Sequence, residues 1–92
     1  MKALFDQVSL KASKMVTNAY STSFSLGIRM LNESVREPVY AIYGFVRFAD
    51  EIVDSFEGYD KAALIADFRK QTDEAIDQRI SLNPILNSFQ HA

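Results

Sequence analysis

Apolar residues return at steps of three and four through most of this chain, the spacing that collects side chains on one face of an α-helix. Phe5, Val8, Ala12, Met15, Val16 and Ala19 continue such a series from Leu4, which predicts a first helix over about residues 3 to 19 with this set as its buried face. The next segment, Tyr20-Ser-Thr-Ser-Phe-Ser25, crowds hydroxyl side chains that compete for backbone hydrogen bonds, so a break is expected there. A short helical stretch follows over about residues 24 to 31. Asn32 or Ser34 can cap the next helix, Glu33 and Glu37 suit the positive end of its dipole, and Pro38 is tolerated in a first turn. That helix is predicted over about residues 36 to 56, stopped by Gly58.

Asp60 can cap a further helix whose apolar set is Leu64, Ile65, Phe68, Ala75, Ile76 and Ile80, with Asp67, Lys70, Asp73, Glu74 and Asp77 on the wet side. Asn83-Pro84 repeats the cap-then-proline signal and opens a last helix through Ile85, Leu86 and Phe89. No β alternation competes. The fold class is all-α, with about four helices besides the short stretch.

Composition narrows this picture. Of 92 residues, 48% are hydrophobic and only five are Gly or Pro, which excludes a disordered tail. Absence of cysteine excludes disulfide frameworks and thiol nucleophiles. A net charge of −2 with no basic run gives no footprint for nucleic acid. No apolar run approaches the ~18 residues of a transmembrane helix, and the N-terminus lacks a signal-peptide core, so a cytoplasmic location is expected.

One segment resists the plain amphipathic reading. At ~100° per residue, Tyr43, Arg47, Asp50 and Asp54 fall on one stripe with Glu51 at its edge, behind which Ala41, Ile42, Phe45, Val46, Phe48, Ala49, Ile52 and Val53 form an apolar arc. The bland account is a solvated seam in which Arg47 pairs with Glu51 or Asp50. Against it, Asp is a poor helix-interior residue, Asp54 would sit near the negative end of the dipole, and like charges four apart repel. A cation on the seam reverses all three costs. Two carboxylates one turn apart suit Mg²⁺, which keeps waters and takes phosphate oxygens, and Arg47 offers a planar fork to a phosphate. The spacing Asp-x-x-x-Asp alone is a weak signal.

The run from Tyr20 to Asp54 resembles the N-terminal part of squalene/phytoene synthases, which join two prenyl diphosphates head to head. It supplies in order Ser21 and Ser23-Phe24, Arg36, Ala41-Ile42-Tyr43, then Arg47, Asp50 and Asp54. The resemblance implies an isoprenoid-synthase-type helical bundle in which Asp50 and Asp54 bind Mg²⁺, Arg47 and Ser21 contact diphosphate, and Phe24 and Tyr43 line a prenyl channel. The implied substrate is a farnesyl or geranylgeranyl diphosphate. Departure of diphosphate leaves an allylic cation that a second prenyl chain attacks, giving a cyclopropylcarbinyl diphosphate. Prenyl length, the final product and NADPH use are left open by the resemblance, as is peripheral membrane contact of the full-length enzyme.

Two departures stand out: Tyr20 and Thr22 occupy positions where some relatives place histidine and lysine, and no second aspartate-rich motif follows Asp54. Asp73 and Asp77 are four apart but lie on the wet face. Residues 1–92 are therefore expected to be an N-terminal fragment of one synthase domain, inactive alone and prone to self-associate or to need the rest of the domain. The rival readings are a non-catalytic scaffold relative and a small self-associating helical module. Tyr20, Tyr40 and most phenylalanines are expected in the core, Met15 and Met30 as gap-fillers, and His91 as an ordinary surface or interhelix residue.

Overall fold

Five helices form in the order α1 (Lys2–Tyr20), α2 (Thr22–Arg29), α3 (Glu33–Asp54), α4 (Lys61–Gln78) and α5 (Pro84–His91) in a computed structural model describing all of residues 1–92. Asn32, Asp60 and Asn83 are caps the sequence signals, and Ser21 caps α2 within the expected break, so that helix starts two residues earlier than predicted. Ser21 accepts from the Phe24 amide, Asn32 from Ser34, Asp60 from Ala63, and Asn83 from both Ile85 and Leu86, satisfying amide donors that a helix start leaves free. The cap before α3 is thus Asn32, and the helix begins about three residues earlier than its spacing suggested. Pro38 consequently lies past the first turn, inside the helix. Gly58 does not terminate α3, which ends at Asp54; with φ at 83° it serves the connecting turn, a conformation that favours glycine.

The unit measures 39 × 32 × 17 Å, and its short dimension is less than two helix diameters. So thin a slab encloses little: 16 of 92 residues are buried. α1 packs against both α3 and α5, while α4 touches only α3 and α5. α1 and α3 run in the same sense, Lys14 lying over the Tyr40 ring and Tyr20 meeting Arg47 further along. α5 returns antiparallel to α1, its Asn87 against Ser9 and its His91 against Asp6. Phe45 joins three helices, its ring stacked 4.0 Å from Phe89 of α5 and 5.4 Å from Phe68 of α4.

Of the predicted apolar face of α1, only Val16 is fully buried. Ser9, Ser13, Val16 and Thr17 are buried, whereas Leu4, Val8 and Met15 are exposed. Size decides this. At Gly44 of α3 an added Cβ would stand 3.1 Å from the Ser13 hydroxyl oxygen, so the two helices meet too closely for larger side chains. The hydroxyls of Ser9 and Thr17 are satisfied by donating to their own helix, to the carbonyls of Phe5 and Ser13. Met30 and Tyr20 likewise lie outside the core, as do Leu64, Ile65 and Ile76 of α4 and Ile80 just beyond its end; Tyr40, Ala75 and Thr72 lie within it. Ile42, Val46 and Val53 of the apolar arc on α3 are exposed too, and only Ala41 and Ile52 of that arc are buried.

A polar network closes the α1–α5 contact. The fully buried Asn87 donates to Asp6 Oδ1 at 2.9 Å and Ser9 Oγ at 3.1 Å, and its carbonyl oxygen accepts from the Ser81 amide and from Gln90. Lys2, Asn87 and His91 all stabilise the Asp6 carboxylate and hold its pKa far below the ordinary 3.8. A folded-state value below the unfolded one adds stability above about pH 4 that is lost as pH falls further. Denaturant midpoints measured from pH 6 down to pH 2.5 should therefore drop, and the drop should be smaller in Asp6→Asn.

Candidate functional site

The sequence gathers Tyr43, Arg47, Asp50 and Asp54 on one stripe of α3, and the fold brings α2 and the end of α1 against it. Phe24 of α2 stacks on Tyr43, centroids 4.6 Å apart and planes 25° from parallel. The two residues assigned to one apolar wall thus touch. Ser21, in the two-helix junction, caps α2 by accepting from the Phe24 amide at 3.0 Å. That bond uses an oxygen lone pair and leaves the hydroxyl proton free to donate. An open groove of about 530 Å³ is lined by the hydroxyl residues Ser21 and Ser23 and by Phe24, Gly27, Ile28, Leu31 and Val39. A hollow of about 490 Å³ between α1, α3 and α5 has Asp6, Glu37 and His91 in its wall.

Arg47 is the most constrained side chain on the seam. Its Nη2 lies 3.2 Å from Glu51 Oε2 and 3.8 Å from Asp54 Oδ2, and its guanidinium carbon stands 5.0 Å from the centroid of the Tyr20 ring. Arg47 Nε is buried and has no hydrogen-bond partner. Glu51 is held below the usual carboxylate range, first by hydrogen bonding from Ser55, then by Tyr20 and Arg47. In return Glu51 raises the Tyr20 hydroxyl above its ordinary value, with burial adding to the shift. The expected pairing of Arg47 with Glu51 is present, a second pairing with Asp54 accompanies it, and none forms with Asp50.

Asp50 and Asp54 are both exposed, one turn apart. Lys61 donates from Nζ to the Val53 carbonyl at 2.7 Å and so brings a cation to the negative end of α3 beside Asp54. No group of three or more His, Asp or Glu side chains converges closely enough to hold a metal by itself. Two carboxylates are nevertheless a donor set that fits Mg²⁺, whose octahedron is usually completed by water and phosphate oxygens. Arg36 is not at the seam. It donates to the carbonyls of Leu31 and Arg29, stapling the end of α2 to the start of α3. Asp73 and Asp77 are exposed on α4, as expected for a solvated face.

Sequence reading missed Tyr20 and gave Glu51 only an edge position. The available signal was local: Tyr20 adjoins Ser21 at the helix break, and Glu51 lies four residues beyond Arg47.

This arrangement belongs to a recognisable class. Residues 17–92 match the family model of squalene/phytoene synthase, and the chain belongs to that family. Among curated proteins it is 43% identical over 54 residues, 59% of this chain, to presqualene diphosphate synthase of Zymomonas mobilis. The match covers 19% of that relative, so the chain spans about a fifth of its length. No solved structure matches. No helix is long and apolar enough to cross a membrane.

Proposed function

We propose that the chain forms one wall of the active site of a prenyltransferase that joins two prenyl diphosphates head to head. Asp50 and Asp54 hold Mg²⁺, which when bound screens the diphosphate and favours its departure. Arg47 and Ser21 donate to diphosphate oxygens, and the stacked Phe24 and Tyr43 wall off the prenyl chain and keep water from the reacting carbon. The observation that carries the reading is the partly spent state of Arg47. Its guanidinium lies over the Tyr20 ring and is paired through Nη2, yet Nη1 makes no hydrogen bond, and the free Asp50 carboxylate lies less than one turn along the same helix. A diphosphate oxygen can accept from that unpaired donor. The groove lined by Ser21 and Ser23 offers hydroxyls together with apolar side chains, a lining that suits such a substrate.

Family membership supports a squalene/phytoene-type enzyme over a scaffold relative, and the intact Arg47, Asp50 and Asp54 support it further. The seam is open to solvent on one side, so the 92 residues alone cannot exclude water from a cation and are inactive by themselves. The test is to incubate the full-length protein with Mg²⁺ and farnesyl or geranylgeranyl diphosphate. A head-to-head product from the full-length protein and none from residues 1–92 is expected; product from the 92 residues would overturn the one-wall reading.

A further inference from the structure

We infer that Tyr20 is a positioning residue for Arg47, fixing where its guanidinium meets diphosphate; this rests on the diphosphate reading of the seam. Tyr20 ends α1, 51% exposed, and its ring lies over the guanidinium at 5.0 Å. So large an exposed aromatic is not there to fill the core. Arg47 is held in two directions: its guanidinium carbon lies over the Tyr20 ring, and Glu51 takes Nη2 at 3.2 Å. Nε is buried without a partner, and Nη1 makes no hydrogen bond. A guanidinium held by a ring and an ion pair has lost much of its freedom to turn, so the unpaired Nη1 is in position before a ligand arrives. Without the ring, Glu51 and Asp54 are the only fixed points. Both lie on the same helix as Arg47, and both draw the guanidinium along the seam.

The experiment is a double-mutant cycle on the full-length protein, read as affinity for inorganic pyrophosphate with Mg²⁺ by calorimetry. Tyr20→Leu should weaken binding about tenfold, and Tyr20→Phe, which keeps the ring, by less than about threefold. In an Arg47→Met background, Tyr20→Leu should have almost no further effect. The Arg47 Nε–H proton resonance, followed without ligand, should lose its ring-current shift in Tyr20→Leu and keep it in Tyr20→Phe. Tyr20→Gln serves as a second non-aromatic variant should Tyr20→Leu not fold. A tenfold loss that persists in the Arg47→Met background, or an Nε–H resonance indifferent to the ring, overturns the positioning role alone. An Arg47→Met affinity equal to wild type overturns the diphosphate reading itself and this role with it.

Discussion

Replacing Asp50 with alanine in the full-length protein is expected to lower kcat for prenyl coupling by about 10²- to 10³-fold, the scale of removing one preorganised electrostatic contact from a transition state. This carboxylate is free in the folded chain. Asp54 already has Arg47 at 3.8 Å, and Glu51 has the closer contact, but Asp50 has no ion-pair partner and is exposed on the open seam. Nothing inside the chain compensates its charge, so its removal costs the fold little, and the helix gains from alanine in place of aspartate. Activity and stability should therefore move in opposite directions. Kinetics at several Mg²⁺ concentrations, beside a thermal melt, check this; an active Asp50→Ala enzyme at low Mg²⁺ would remove Asp50 from the metal-binding role.

The largest stability effect is expected at Leu86. It is completely buried on α5, the helix that packs against α1, α3 and α4, in a unit with only 16 buried residues. Truncation to alanine removes buried methyl groups and leaves a cavity, at a cost of about 2–5 kcal/mol. Total stabilities of small domains are of order 5–15 kcal/mol, so this one change consumes a large share. Urea unfolding should show the midpoint falling sharply with an unchanged slope, whereas Leu82→Ala, 92% exposed, should leave it nearly in place.

The helices were legible because periodicity and capping are local chemistry, although α2 and α3 start two or three residues before their predicted positions. Asn32, Asp60 and Asn83 announce their helices within three residues, and each makes the bond its position implies. The stripe on α3 was legible for the same reason, since helical geometry alone places Arg47, Asp50 and Asp54 together. What contacts the stripe was not. The Tyr20–Arg47 stack joins residues of different helices, and no periodicity within α1 signals it. Hydrophobicity is an incomplete guide to burial on α1, where only Val16 of the periodic apolar set is buried. Ser9, Ser13 and Thr17 are buried for their small size against Gly44, while Leu4, Val8 and Met15 are left outside. A periodic apolar series marks a face that can be covered by protein, and it does not say which neighbour covers it.

Gly44, with no side chain and no chemistry of its own, therefore acts as the fulcrum of this wall. It lies three residues before Arg47, about 4.5 Å along the axis, and the Ser13 it touches lies seven before Tyr20, about 10 Å away. Because α1 and α3 run the same way from that point, the width of the gap at Gly44 fixes how far the Tyr20 ring stands from the guanidinium. Spatial tolerance at the charged seam is set by an absent methyl group one helical turn away.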